Sequence, residues 1–217
     1  MEFKINILPQ NFENSIKSME NRVNNIINGT EGEMVWILNY PAIYTCGASE
    51  NKSDLLNNSR FPIFKTNRGG KYTYHGPGQR IIYLMINLNQ RDRDIKEYVN
   101  LIEKIIINIL KRFGINGIIN NNHHGVFIEK DDGKSYKIAS IGVKFKKWIS
   151  YHGFSFNLNP NLEHYNGINP CGLNNKSITS LSDIGIEIDK ETFDDIAIEE
   201  INNVFKAKRC IRNISNS

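Results

Sequence analysis

A chain of 217 residues, 40% hydrophobic and 10% aromatic, has the composition of an ordinary soluble globular protein of one large domain or two small ones. A net charge of +4, with pI near 8.8, admits an acidic protein partner but is too slight to imply nucleic acid. The three cysteines, Cys46, Cys171 and Cys210, are far apart and lack a C-x-x-C pair, which argues against a disulfide framework or a zinc knuckle.

The opening run "MEFKINILPQ" goes straight into a strand-like pattern, without the basic and apolar regions of a signal peptide. No apolar stretch approaches the ~20 residues of a membrane span, so a cytoplasmic, reducing location is the expectation. Phe12, Ile16, Met19, Val23 and Ile26 then recur at three- and four-residue steps, one apolar helix face that closes near Gly29. "EMVWILNYPAIYTCG" reads as an apolar strand broken by Pro41, and Ile81 to Leu88 as a buried central strand. Asp94 is a good N-cap for a helix whose stripe runs from Ile95 through Tyr98, Ile102, Ile105, Ile106 and Ile109 to Phe113, with Gly114 placed to end it. Short strands follow in "GVFIEK", "KIASIGVKF" and "GFSFNLN", and a last helix in "TFDDIAIEEINNVFKAKR". That order is α+β and not a regular βαβ repeat, with no internal repeat and no linker to divide it.

The stretch "RGGKYTYHGPGQ", residues 68 to 79, is poor material for a helix or a plain strand. Its glycines let backbone approach a ligand and offer N–H groups to an anion or a carbonyl oxygen, or else they make a hairpin with "HGPG" as its turn. It is not a phosphate loop, because no Ser or Thr follows Lys71. Lys137, in "KIASIG", is most simply a strand-edge lysine in water; partial desolvation among Ile138, Ala139 and Ile141 would lower its pKa. His123 and His124 point opposite ways if in a strand, and are read as loop; His152 alone weighs little. In "NPCGL", Pro170 and Gly172 frame Cys171 in a stiffened, sharply turned backbone that a buried structural cysteine rarely needs.

Four stretches, "RGGKYTYHGPGQ", "KIASIG", "HGFSFNLNP" and "PCGL" followed by "TSL", occur in this order, with Cys171 34 residues and Gly153 16 residues after Lys137. Together they resemble the octanoyl (lipoyl) transferases of lipoate biosynthesis, over almost the whole chain. The resemblance implies one catalytic acyltransferase domain over residues 1–217, with mixed, mostly antiparallel sheets flanked by helices, as in the biotin and lipoate protein ligases. It implies transfer of an octanoyl group from acyl carrier protein to a lysine of lipoyl domains, the first step of protein lipoylation. Cys171 matches the acyl-thioester nucleophile and Lys137 the lysine that activates it. Arg68, Gly69, Gly70, Lys71, Tyr72, Thr73, Tyr74 and His75 match a first substrate-binding stretch. Ser140, Ile141 and Gly142 match a second, and Gly153, Phe154 and Ser155 a third. The acceptors implied are lipoyl domains of 2-oxoacid dehydrogenase complexes and the glycine cleavage H protein. Neither a metal nor any cofactor beyond the carrier's phosphopantetheine is implied, and neither nucleic acid nor membrane.

The chain departs from the family at Asn39 and Tyr40, where many members have Glu-His before the proline, and at Ala48, where many have a basic residue. On this reading Tyr72 to Tyr74 and Phe154 line an acyl slot, and Arg68, Lys71, Arg80, Lys144, Lys146 and Lys147 steer acidic partners or form a solvated face. Two rivals stand beside it. An ATP-dependent lipoate or biotin protein ligase needs no cysteine at this turn, and a nucleic-acid-binding module needs clustered positive charge, whereas both signs are spread along this chain.

Overall fold

The computed structural model describes residues 1–57, 60–120, 123–169 and 177–215. Its centre is a seven-stranded sheet in the order β1 (Glu2–Ile5), β2 (Met34–Leu38), β6 (Gln79–Met85), β10 (Ile149–Asn157), β9 (Ser135–Lys146), β8 (His123–Glu129) and β7 (Ile118–Asn120). A second sheet has the order β4 (Ile63–Lys65), β3 (Ile43–Cys46) and β5 (Tyr72–His75). Only the β1–β2 and β3–β4 pairs are parallel, so this single α+β domain has mixed, mostly antiparallel sheets.

Two helices cover one face of the large sheet. In α2 (Ile95–Lys111) the Asp94 side chain caps the Glu97 N–H, and Ile102, Ile105, Ile106 and Ile109 are fully buried. Each such isoleucine contributes ~1.5–3 kcal/mol of burial. With α3 (Lys190–Ser215) they cover Val35, Ile37, Ile82, Leu84, Phe154 and Phe156. The other face carries α1 (Phe12–Asn28) and the small sheet, packed on the alternate residues Trp36, Leu38, Ile81, Tyr83 and Met85. Burial on both faces is why β2 and β6 read as unbroken apolar runs. The helix ends fall where glycine allows a left-handed turn, at Gly29 (φ 74°) and Gly114 (φ 73°).

The chain changes sheet at proline. β2 and β3 belong to different sheets on either side of Pro41, and β5 and β6 on either side of Pro77. "HGPG" is therefore a turn between sheets and not a hairpin, closed by the Gln79 N–H to the Gly76 carbonyl at 3.2 Å. A proline cannot donate to a ladder, so it ends one pairing and lets the next begin elsewhere. His123 and His124, read as loop, begin β8. Arg80, read as a surface charge, is wholly buried in β6. Its Nε donates to Asp194 on α3 at 2.8 Å and its Nη1 to the Asn6 carbonyl at 3.2 Å.

Candidate active site

Between the central strands and the small sheet lies a slot open to solvent. Strand register lays two rows across its floor, Ser140–Ser155–Ile81 and Gly142–Gly153–Tyr83, each taking one residue from β9, β10 and β6. A Cβ at Gly153 would sit 2.1 Å from the Ile82 carbonyl oxygen, so only glycine lets β10 and β6 pair there. At Gly142 a Cβ would press on Arg68 Cδ and the Gly69 carbonyl oxygen at 3.1 Å, where the loop before β5 crosses the sheet. Thr45, Thr73 and His75 of the small sheet also line the slot, with Thr66, Arg68 and Gly70 from the loop between β4 and β5.

Arg68 holds that loop. Its Nη2 donates to the Thr45 carbonyl at 3.0 Å and to Thr45 Oγ1 at 2.8 Å, its Nη1 to the Gly69 carbonyl at 3.0 Å. The Gly69 N–H donates to the Val143 carbonyl at 3.1 Å, docking the loop on β9. Lys71 pairs with Asp54 at 2.9 Å. Alternation along β5 turns Thr73 and His75 inward, while Tyr72 and Tyr74 join Tyr44, Cys46, Tyr165, Ile168 and Ile178 in a cluster of their own. Tyr72 and Tyr74 therefore do not line the slot. The side chains of Ile141 and Phe154 pack in the core under α2 and α3. Ser140, Ile141, Gly142, Gly153, Phe154 and Ser155 all border the slot, as the sequence motifs suggest.

His75 and His152 lie in the slot wall, both buried. Burial, with the Arg68 guanidinium adding to it, pushes both imidazoles down to about 3, so both are neutral near pH 7. His152 is a backbone outlier, with φ 59° in the middle of β10. Its N–H is turned to Met19 Sδ (3.2 Å), its Nε2 meets Asn67 Oδ1 at 2.9 Å, and its ring lies edge-on to Tyr83, centroids 5.8 Å apart. The strained residue thus reaches the loop next to Arg68, a role its isolated position in the sequence does not signal.

Lys137 is 1% exposed. Strict alternation would put it on the face of Ala139 and Ile141, among the helices. β9 instead carries an extra residue: Val126 faces Ala139 but Phe127 faces Lys137, so Ile138 and Ala139 share the helix-side core. The bulge turns Lys137 onto the same face as Ser140 and Gly142. Its Nζ donates to the His124 carbonyl at 3.0 Å and lies 5.1 Å from the Phe127 ring centroid. A Cβ at Gly125 would approach Lys137 Cε to 3.3 Å and the Ala139 carbonyl oxygen to 2.4 Å, so glycine makes room for the lysine stem.

Cys171 lies outside the described residues, but the chain is anchored on either side of it, and on the far side to Lys137. Before it, Ile168 bridges Leu55 and the Asn169 N–H donates to the Asp54 carbonyl at 2.7 Å. After it, Ile178 bridges Lys137 and the Thr179 N–H donates to the Lys137 carbonyl at 3.0 Å. Cys46 is buried in the small sheet. Burial and the neighbouring Glu50 push its thiol up to about 11, which makes it a poor nucleophile. Cys210 falls in α3.

A model of the lipoyl protein ligase A/B catalytic domain matches residues 11–202 of this chain. An octanoyltransferase from Neorickettsia sennetsu is 47% identical over 189 residues, covering 87% of this chain and 90% of that protein. One from Ehrlichia chaffeensis is 42% identical over 206 residues, 94% of this chain and 96% of the relative. Among solved structures, the bi-partite lipoate protein ligase from Thermoplasma acidophilum superposes with a TM-score of 0.71 at 12% identity, covering 95% of this chain and 84% of the other. A lipoate-protein ligase A bound with ATP gives a TM-score of 0.71 at 13% identity, covering 95% and 86%. At such low identity these two structures speak for the fold alone.

Proposed function

The chain belongs to the octanoyltransferases of the lipoyl protein ligase A/B catalytic-domain family, and from that premise we propose that it moves an octanoyl group from acyl carrier protein to a lipoyl-domain lysine through a thioester on Cys171. The observation that carries the proposal is the buried Lys137, turned by the β9 bulge onto the floor side of the slot, with the chain that follows the Cys171 segment fastened to its backbone.

The chemistry is thioester exchange followed by aminolysis. Cys171 Sγ attacks the acyl carbonyl, the carbon–sulfur bond to the phosphopantetheine breaks, and the carrier thiol leaves with a proton. The acceptor amine then attacks the new thioester, forming an amide and returning the Cys171 thiol. Sulfur keeps the acyl group activated throughout, so the route is downhill without ATP. Only the thiolate is nucleophilic, and a free thiol has a pKa near ~8.5. Lys137 supplies what the step lacks, either as a cation that favours the thiolate or as a neutral amine that takes its proton. The slot contributes binding: about seven buried alkyl carbons at ~0.8 kcal/mol each give on the order of 5 kcal/mol. Acceptors on this reading are lipoyl domains of 2-oxoacid dehydrogenases and the glycine cleavage H protein. Among the described residues no helix is long and apolar enough to cross a membrane, in keeping with the proposed cytoplasmic location.

The test is intact mass. Incubated with octanoyl carrier protein and no ATP, the protein should gain one octanoyl group on Cys171 and pass it to an added lipoyl domain. Absence of an adduct, an adduct on Cys46 or Cys210, or transfer only with ATP and free acid would overturn the proposal, the last in favour of a ligase.

A further inference from the structure

We propose that Phe12, the first residue of α1, is the end wall of the acyl slot and sets the length of chain the enzyme accepts; this rests on the acyl-transfer reading above. The slot has a direction. At β9 it is bordered by Ser140, with Arg68 alongside and Lys137 on the same face. Across β9 and β10 its floor is bared by Gly142 and Gly153. At β6 it becomes apolar, bounded by Ile81, Tyr83 and Phe12. From β9 to β6 is two strand spacings, about 10 Å, comparable to the reach of an extended eight-carbon chain.

The wall is braced and does not yield easily. The Phe12 ring packs edge-on against Tyr40, centroids 5.1 Å apart, and against Phe64 at 4.9 Å, leaving it 6% exposed. Tyr40 in turn holds Tyr83 through their hydroxyls, 2.9 Å apart. The backbone is pinned at the helix start, where the Asn11 side chain accepts from the Asn14 N–H at 2.9 Å. The other buried apolar residues of α1, Met19, Val23 and Ile26, belong to the core and do not line the slot; Phe12 does. A close-packed ring without polar groups selects by shape alone, and one methylene at such a wall discriminates by about 10–200-fold.

The experiment offers hexanoyl, octanoyl, decanoyl and dodecanoyl carrier protein in competition and reads the acylated lipoyl domain by mass. Wild type should favour octanoyl. Phe12→Ala should raise the decanoyl-to-octanoyl ratio of kcat/KM at least about tenfold, and Phe12→Trp should move the preference to hexanoyl. Phe64→Ala removes the packing behind Phe12 without opening the slot. It should lower the melting temperature and shift the chain-length profile far less than Phe12→Ala does. Unchanged ratios in folded Phe12 variants, or an equal shift in Phe64→Ala, would overturn the inference while octanoyl transfer stands. Should Phe12→Ala fail to fold, Phe12→Trp and Phe12→Leu decide the matter by opposite shifts or by none. A wild-type chain inert toward every donor would instead sink the acyl-transfer reading, and this inference with it.

Discussion

The paired neutral histidines of the slot make stability depend on pH in a window that can be worked out. In the unfolded chain His75 and His152 titrate near the ordinary value of ~6.5. In the folded protein burial, then Arg68, holds both at about 3. As pH falls below the ordinary value, the unfolded state takes up protons that the native state refuses. Stability is therefore full above that value, lost progressively as pH falls towards the folded value, and not lost further by these groups below it. Between pH 7 and pH 5 the loss is about 2 kcal/mol per histidine, roughly 4 kcal/mol for the two. Against a typical total of ~5–15 kcal/mol that is a large share. Melting followed by circular dichroism should show a fall of roughly 8–16 °C over those two pH units. Asp189, whose carboxyl is held low by its bonds from Thr192, acts only below the ordinary carboxylate range, outside this interval. Asp194 is raised by burial and works in the opposite sense, but equally in any histidine variant. His152→Asn is the informative substitution, since asparagine tolerates the left-handed φ of 59° at this position. It should recover the roughly 2 kcal/mol that His152 contributes to the pH-dependent loss, leaving the shares of His75 and of His164, whose imidazole is also lowered by burial. A wild-type melting temperature flat from pH 7 to 5, or an identical slope in His152→Asn, would refute the burial argument.

Three further outcomes follow from the same geometry. Lys137→Ala should cripple acyl transfer in a folded protein and Lys137→Arg should not restore it, since arginine is larger and keeps its proton; if the lysine favours the thiolate as a cation, Cys171 alkylation in the alanine variant should shift to higher pH, and superimposable profiles would exclude that role. Changing both Cys46 and Cys210 to serine should leave most of the turnover, and a loss like that of Cys171→Ser would mean the nucleophile is misassigned. Gly153→Ala should cost several kcal/mol by driving its Cβ into the Ile82 carbonyl oxygen, checked by urea denaturation; a loss near the few tenths typical of a surface change would contradict the strand register.

The helices were legible because their signals are local. Phe12, Met19, Val23 and Ile26 sit on one face whatever α1 packs against, and Asp94 caps α2 from the next residue along. Strand identity was nearly as clear, and the glycine motifs did mark the slot. Pairing was not legible. Nothing local says that β5 and β6, four residues apart, belong to different sheets, because the choice is made by long-range burial of Tyr74 on one side and Ile82 on the other. For the same reason Tyr72 and Tyr74 look like slot residues in the sequence and are not: alternation fixes that they share a face, and only the partner sheet fixes which face.

Lys137 carries that point to the chemistry. Its neighbours alternate well enough to predict a strand, and by that alternation the lysine would join Ala139 and Ile141 under the helices, an uncompensated amine in an apolar core. A single extra residue at Ile138 reverses its facing without disturbing the strand, at the cost of one irregular pair with β8. The resulting burial beside the His124 carbonyl is compatible with an amine, and the Lys137 carbonyl accepts from the Thr179 N–H of the returning chain. One irregularity thus serves both ends of the site, turning the Lys137 side chain to the face of Ser140 and Gly142 and leaving its backbone to bond the segment after Cys171. Removing Ile138 should therefore leave Lys137 on the slot side, because the lysine would then alternate directly with Ala139 and keep its pairing with Phe127. Acyl transfer should survive the loss of stability that follows from deleting a buried isoleucine, and a folded deletion variant without transfer would contradict the account of the bulge.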